Sequence, residues 1–221
     1  MKRKNIIENV SQMYDDIASG PVPHVLKGSA TIFFEDYNKE LAKHHLELGL
    51  KELGITRAEF PKVTYYYFSS QIQRNLAITL QSYWKTVLGI EVNLQVHDLK
   101  SHINKLKSKD FAIAQMSWIG QYHDRMSFLE RFETHDAFRN YGSWENPKYT
   151  QMMTDSYYLE NDKRSALLEK AEKLLTDEMP LIPIYHYHTV YVKNPRLKNV
   201  AICPMGNTYL HHAYLKKSKK S

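Results

Sequence analysis

The chain is poor in the groups that pin small disulfide-rich or zinc-bound domains together, with Cys203 the single cysteine among 221 residues. One thiol excludes an internal disulfide and a zinc–thiolate cluster. Glycine and proline are also scarce, at eight each, which argues against a fibrous repeat. No apolar run reaches eighteen residues, so no membrane-spanning helix is expected. A glycine-rich phosphate loop and a Gly-x-Ser-x-Gly elbow are both missing, leaving nucleotide and serine-hydrolase chemistry without a motif. Met1-Lys2-Arg3-Lys4 has the charge of a signal-peptide start, but Asn5-Ile6-Ile7-Glu8-Asn9 interrupts any apolar stretch. No signal peptide is expected, and a chain made in this form alone would stay in the cytoplasm.

What remains has an ordinary globular composition, 43% hydrophobic and 24% charged, long enough to bury a core. The net charge of +6 resides partly in Lys216-Lys217-Ser218-Lys219-Lys220, which reads as a solvated basic end. Residues 1–30 lack periodicity, contain Gly20-Pro21-Val22-Pro23 and are expected to form a connecting arm. Leu41, His45, Leu48 and Leu53, closed by Gly54, predict a helix. "KVTYYYF" (62–68) predicts a strand, and Ser69-Ser70 caps a helix with Ile72, Leu76, Leu80 and Trp84 inside, ended by Gly89. "IEVNLQVH" alternates strictly, as a half-buried strand near an edge does. A short helix on Leu99, Ile103 and Leu106 and the strand "FAIAQMSW" follow. That order implies crossover connections and a largely parallel sheet. Asn146-Pro147 starts a helix with Tyr149, Met152, Met153 and Tyr157 inside, the next carries Leu167, Leu168, Ala171, Leu174 and Leu175, and "LIPIYHYHTVYVK" returns extended.

Few residues invite chemistry. On an extended strand His186 and His188 share a face, but no third ligand has recognisable spacing, so no metal site is expected. The carboxylate pairs Asp15-Asp16 and Glu35-Asp36 read as solvated charge. Tyrosine runs at 65–67 and 185–191 lack interleaved basic residues, so nucleic-acid binding is not expected. Trp118 to Tyr122 differ in kind, because ligands of open α/β sheets bind outside the carboxyl ends of the strands. The residues alone leave this stretch open between a cleft wall and a core Trp beside a turn.

Two segments together resemble the oligopeptide-binding solute receptors of ABC transporters, extracellular solute-binding protein family 5. They are "KVTYYYFSSQIQRNLAITLQSYWKTVLGIEVNLQVHDLKSHINKLKSKDFAIAQMSWIGQYHDRMSFLERF" and "RSALLEKAEKLLTDEMPLIPIYHYHTVYVKN". The first is similar to the family's strand, helix ending in Leu-Gly-Ile, alternating strand, short helix, and strand leading to Trp-x-x-Asp-Tyr; the second is similar to its late helix and Pro-x-x-Pro-x-Tyr. The resemblance covers the family's carboxyl-terminal part and implies the α/β C-terminal lobe of a type II periplasmic binding protein-like fold, a mixed, mainly parallel sheet flanked by helices. Lobe residues 31–194 follow the arm, and residues 195–221 are expected to pack on an amino-terminal lobe outside this truncated chain.

The function so implied is capture of an oligopeptide or modified peptide for ABC import, without catalysis and with no cofactor. The partners are an ABC permease and a separately encoded amino-terminal lobe, and the setting is periplasm or cell envelope. A protein-interaction module, or a remnant without transport role, is the alternative. Trp118, Ile119, Gly120, Gln121, Tyr122 and Tyr187 are the implied ligand contacts, with Gln115 on the strand before them. Gln121 stands where peptide-binding members carry an Asp that pairs with the peptide α-ammonium, and an amide cannot neutralise that charge.

Overall fold

The expected succession of strand, helix, strand, helix and strand is present in the computed structural model, which describes residues 1–27, 31–137, 139–203 and 206–217. In chain order the elements are α1 (Arg3–Ile6), β1 (Asp16–Ile17), α2 (His24–Lys27), α3 (Lys39–Leu53), β2 (Val63–Phe68), α4 (Gln71–Tyr83), β3 (Val92–His97), α5 (Leu99–Lys107), β4 (Ile113–Ala114), α6 (Met126–Leu129), α7 (Pro147–Ser156), α8 (Asn161–Glu178) and β5 (Tyr185–His186), then β6 (Leu197–Lys198), β7 (Ala201–Ile202), β8 (Thr208–Tyr209) and β9 (Tyr214–Leu215). Gly28 to Ala30 of the expected arm, Pro204 and Met205, and Ser218, Lys219 and Lys220 of the basic end lie outside the described residues.

Local chemistry sets the helix limits. Asn38, Ser70 and Asn146 each accept a backbone N–H in the first turn of α3, α4 and α7. Gly54 and Gly89 take the left-handed conformation that closes α3 and the π-helical turn after α4. The sheet has order β3-β2-β4, all parallel, with Tyr65 opposite both Leu94 and Ile113. β3 is therefore an edge strand, as its alternation predicts. The chain runs from β2 out to β3 on one side and then crosses back from β3 to β4 on the other, so the topological switch point lies between the carboxyl ends of β2 and β4.

Two cores hold the lobe. Tyr65 and Tyr67 pack under Leu76, Ala77 and Leu80 of α4, with Val92 and Ile6. The second is helical, with Met126, Phe128 and Leu129 against Tyr149, Met153, Leu168, Ala171 and Leu175, and Val22 among them. Residues expected as a connecting arm thus contribute to both cores. Two buried cations fasten them further: Arg3 pairs with Asp36 at 2.7 Å, and Lys27 with Glu172 at 2.8 Å.

Several expectations change. The inward face of α3 is Ala42, Leu46 and Leu50, while Leu41, His45, Leu48 and Leu53 are exposed. Both sets recur at helical spacing, and tertiary packing chose the other one. Tyr157 lies beyond the last turn of α7 and is exposed rather than inside. The strand expected over 111–118 is reduced to β4, because the chain leaves the sheet at Gln115, and the extended return after Pro183 pairs only at β5, with β1. Asp15 is not solvated: it is buried, accepts the Ser11 hydroxyl and takes the His188 N–H at 2.8 Å. Asp36 is likewise engaged by Arg3.

Candidate functional site

At the switch point the structure places a polar floor and an apolar wall. The floor is Gln115, buried directly after β4, whose N–H reaches the Tyr66 carbonyl at 2.8 Å. Its side-chain amide donates to Gln73 Oε1 in the first turn of α4, and its carbonyl accepts His102 Nε2 from α5 at 2.6 Å. This fixes the Nε2–H tautomer of His102 and leaves its Nδ1, like Gln115 Oε1, buried without a partner among the described residues. Each of the three buried residues comes from a different part of the fold: Gln73 from α4, His102 from α5 and Gln115 from just past β4. Gln73 and His102 went unnoticed in the sequence, although a Gln just past a capped strand end lies where the switch-point rule directs attention.

The wall is the loop from Met116 to Arg125, which carries the chain from the sheet to the helical core. Trp118 packs against that core and donates its indole N–H to the Ser127 carbonyl at 2.7 Å. The Gln121 N–H is held by Ser127 Oγ at 2.6 Å, so two bonds from one helix residue shape the turn between them. Gly120 is required there: a Cβ would stand 2.8 Å from Phe128 Cε2 and 3.1 Å from Cζ, inside van der Waals contact. The turn leaves the side chains of Ile119, Gln121 and Tyr122 exposed.

The loop is surrounded by charge of both signs. Tyr122 donates its hydroxyl to Glu130 at 2.6 Å, and burial, then this carboxylate, raises its pKa. Burial alone would raise Asp124, yet bonds from Arg164 at 2.7 and 2.9 Å and from the Met126 N–H hold its pKa below the ordinary value. The ring of Trp118 carries the guanidinium of Arg131 at 4.2 Å and that of Arg139 at 4.8 Å. Ile119, Gln121 and Tyr122 thus stand exposed beside a half-buried Trp118. Tyr187 is half exposed just beyond β5, and among the described residues no hydrogen bond, ion pair or ring contact ties it to the loop. No group of three His, Cys, Asp or Glu able to hold a metal occurs among the described residues.

Comparison with known proteins bears on what such a surface is for. The model of bacterial extracellular solute-binding proteins, family 5 Middle, matches residues 1–140. The oligopeptide-binding protein OppA of Bacillus subtilis (strain 168) is 35% identical over 221 residues, 98% of this chain, and the dipeptide-binding protein DppE of the same organism is 31% identical over 76% of it. This chain spans 41% and 31% of those relatives' lengths. The solved structure of the Escherichia coli murein tripeptide binding protein MppA superposes with a TM-score of 0.78 at 26% identity, over 90% of this chain and 39% of that one. The fold is that of a type II periplasmic binding protein lobe, a parallel sheet flanked by helices.

Proposed function

This chain belongs to family 5 of the bacterial extracellular solute-binding proteins, and from that premise we propose that it is a peptide-binding lobe serving ABC-type import. One observation carries the reading: Ile119, Gln121 and Tyr122 stand exposed on a tightly shaped loop at the switch point of the sheet, where a sealed core Trp-turn would have hidden them. The lobe supplies half of a clamp. A second lobe closes on the ligand from the other side and packs against residues 195–221, a permease receives the ligand, and the setting is the periplasm or cell envelope. Trp118, Ile119, Gly120, Gln121, Tyr122 and Tyr187 contact the ligand, and no chemistry is performed on it. The exposed side chains of Val190, Tyr191 and Val192, before the last segment, suit a protein contact of this kind better than solvent.

Gln121 sets the ligand's character. An amide accepts a hydrogen bond but leaves an α-ammonium uncompensated, so the preferred ligand has an uncharged or blocked amino end, or one neutralised by another residue. A hydrogen bond to a charged group contributes roughly 1.5–3 kcal/mol, about tenfold to a hundredfold in affinity. Native mass spectrometry of the chain and of Gln121→Asp, each with free-amine and N-acetylated tripeptides, tests both statements. Gln121→Asp is expected to gain free-amine peptides by that factor and to gain nothing for the acetylated ones. Equal affinities in all four combinations would remove Gln121 from the site, and retention of no peptide by either protein would remove the reading.

A further inference from the structure

Ser127 spends its bonds outside its own helix. Buried hydroxyls on helices ordinarily return to a carbonyl of the preceding turn, as Ser156 does to Met153 at 2.7 Å and Thr176 to Glu172 at 2.8 Å. Ser127, fully buried in α6, instead accepts the Gln121 N–H on its Oγ, while its carbonyl accepts the Trp118 indole N–H and its own N–H reaches the Asp124 carbonyl at 3.2 Å. All three bonds land on the loop from Met116 to Arg125. The rest of that loop's leading main chain is unbonded: from Met116 to Gln121, the Gln121 N–H is the one main-chain group with a hydrogen bond among the described residues. The Gly120–Gln121 peptide is trans and planar, so its N–H and C=O point in opposite directions. With the N–H turned inward to a buried hydroxyl, the Gly120 carbonyl turns outward, away from α6. Phe128 closes the inner side of Gly120, where a Cβ would stand 2.8 Å from its ring. Gly120 itself is half-buried, so its carbonyl is an acceptor of fixed direction next to the neutral side chain of Gln121.

We propose that Ser127 is a positioning residue that presents the Gly120 carbonyl to the ligand, as the acceptor for an amide N–H at the ligand's amino end. This role rests on the reading that the loop lines the peptide cleft. A carboxylate at 121 would favour a charged ammonium, whereas a main-chain carbonyl beside a neutral amide requires only one N–H. The secondary amide of an N-acylated residue supplies it and brings no charge to compensate. The bond from the Gln121 N–H to Ser127 also polarises the shared peptide unit, which strengthens its carbonyl as an acceptor. The ligand class that fits is an N-acylated peptide.

The test couples a change in the ligand to a change in the protein. N-acetyl-trialanine and its analogue N-methylated on the first residue, which lacks that N–H, are titrated by native mass spectrometry against the whole chain and against Ser127→Ala. In the parent chain, methylation is expected to weaken binding by about threefold to tenfold, the loss of one neutral hydrogen bond. In Ser127→Ala, N-acetyl-trialanine should weaken by a similar factor, and methylation should then cost no more than about twofold. A serine with a structural role alone would weaken both peptides alike and leave the methylation penalty unchanged, and that outcome overturns the proposal. A second measurement needs no ligand. Amide exchange followed by 1H–15N NMR should find the Gln121 N–H protected in the parent and unprotected in Ser127→Ala, with the Trp118 indole signal unmoved because the carbonyl that holds it remains. Exchange of the Gln121 N–H as fast as that of Ile119 in the parent would overturn the anchor itself. Binding of neither peptide by the parent overturns the role of Ser127 together with the peptide reading, whereas binding with equal penalties overturns the role of Ser127 alone.

Discussion

The first 37 residues and the last 32 look alike as sequence, both short of periodicity and rich in turns, yet the lobe treats them in opposite ways. The leading stretch is sewn into both cores by Ile6 and Val22 and fastened by the bond from Arg3 to the Pro183 carbonyl and by Lys27–Glu172. Among the described residues the trailing stretch from Val190 pairs only with itself, through β6 with β9 and β7 with β8, and it exposes Val192 at 98%. Packing against the rest of the chain, rather than regular structure, decides which irregular segment is part of a domain. A two-residue strand such as β1 persists because Asp15 and Ala18 beside it are buried against the β5 region, not because of its own ladder.

The comparison breaks most severely at Lys27. Its side chain is 2% exposed and that of Glu172 is fully buried, with the Lys27 ammonium also over Phe33 at 4.6 Å. Lys27→Ala strands a carboxylate that already has one unpartnered oxygen, and losing one member of a buried pair costs roughly 3–5 kcal/mol. Urea unfolding is expected to show that loss, while Lys198→Ala in the trailing segment should stay within about 0.5 kcal/mol. Replacing both Lys27 and Glu172 by Met should restore most of the difference. The deficit should also shrink in acid. Burial raises the Glu172 pKa, and without Lys27 nothing as close opposes it. A carboxyl with a raised folded pKa adds stability below its unfolded value and loses it as pH rises through the folded one.

A smaller effect sits where the leading stretch meets β5. His186 is held to a pKa of about 4 by burial first, then by Lys27, His24 and His188, against an ordinary 6.5. The unfolded chain therefore takes up the proton first. Stability attributable to His186 is complete above about 6.5 and is lost as pH falls toward 4, by about 3 kcal/mol at most. His188 faces Asp16 at 3.6 Å and Lys27 faces Glu172, so the clean measurement is a difference between proteins. His186→Phe should flatten the stability profile between pH 4 and 6.5 relative to the parent chain. Parallel profiles would mean that the ring is accessible to water in the folded state.

What the sequence disclosed was what neighbours in sequence decide. Ser70 and Asn146 cap their helices from two or three residues away, and Gly54 and Gly89 stop theirs by a conformation that only the next few residues require. The Trp118–Tyr122 loop draws attention because it follows the carboxyl end of a strand, but the residues alone leave it open between a cleft wall and a core Trp beside a turn. The buried face of α3 could not be anticipated, since Leu41 with Leu48 and Leu46 with Leu50 are equally good stripes until a partner surface selects one. Gln115 meets Gln73 across 42 residues, and Arg131, just past α6, meets Trp118 in the loop before that helix, so neither contact leaves a local mark. A cationic residue beside a single aromatic one, as in Arg131-Phe132, is too common a pair to single one out.

The least effect is expected at Val192, and it is the sharpest probe of the trailing segment. Val192→Ser changes a side chain that already faces solvent, so the midpoint of urea unfolding should move by no more than about 0.5 kcal/mol equivalent. The same substitution becomes costly once a second lobe covers that surface, since burying a Val side chain is worth roughly 1.5–3 kcal/mol. Measured on this chain alone and again with the proposed partner lobe, the two values separate a segment that waits for a surface from one that never has one. A loss above about 1 kcal/mol on the chain alone would place Val192 in a contact of its own, and the contrast with the leading stretch would then be one of degree.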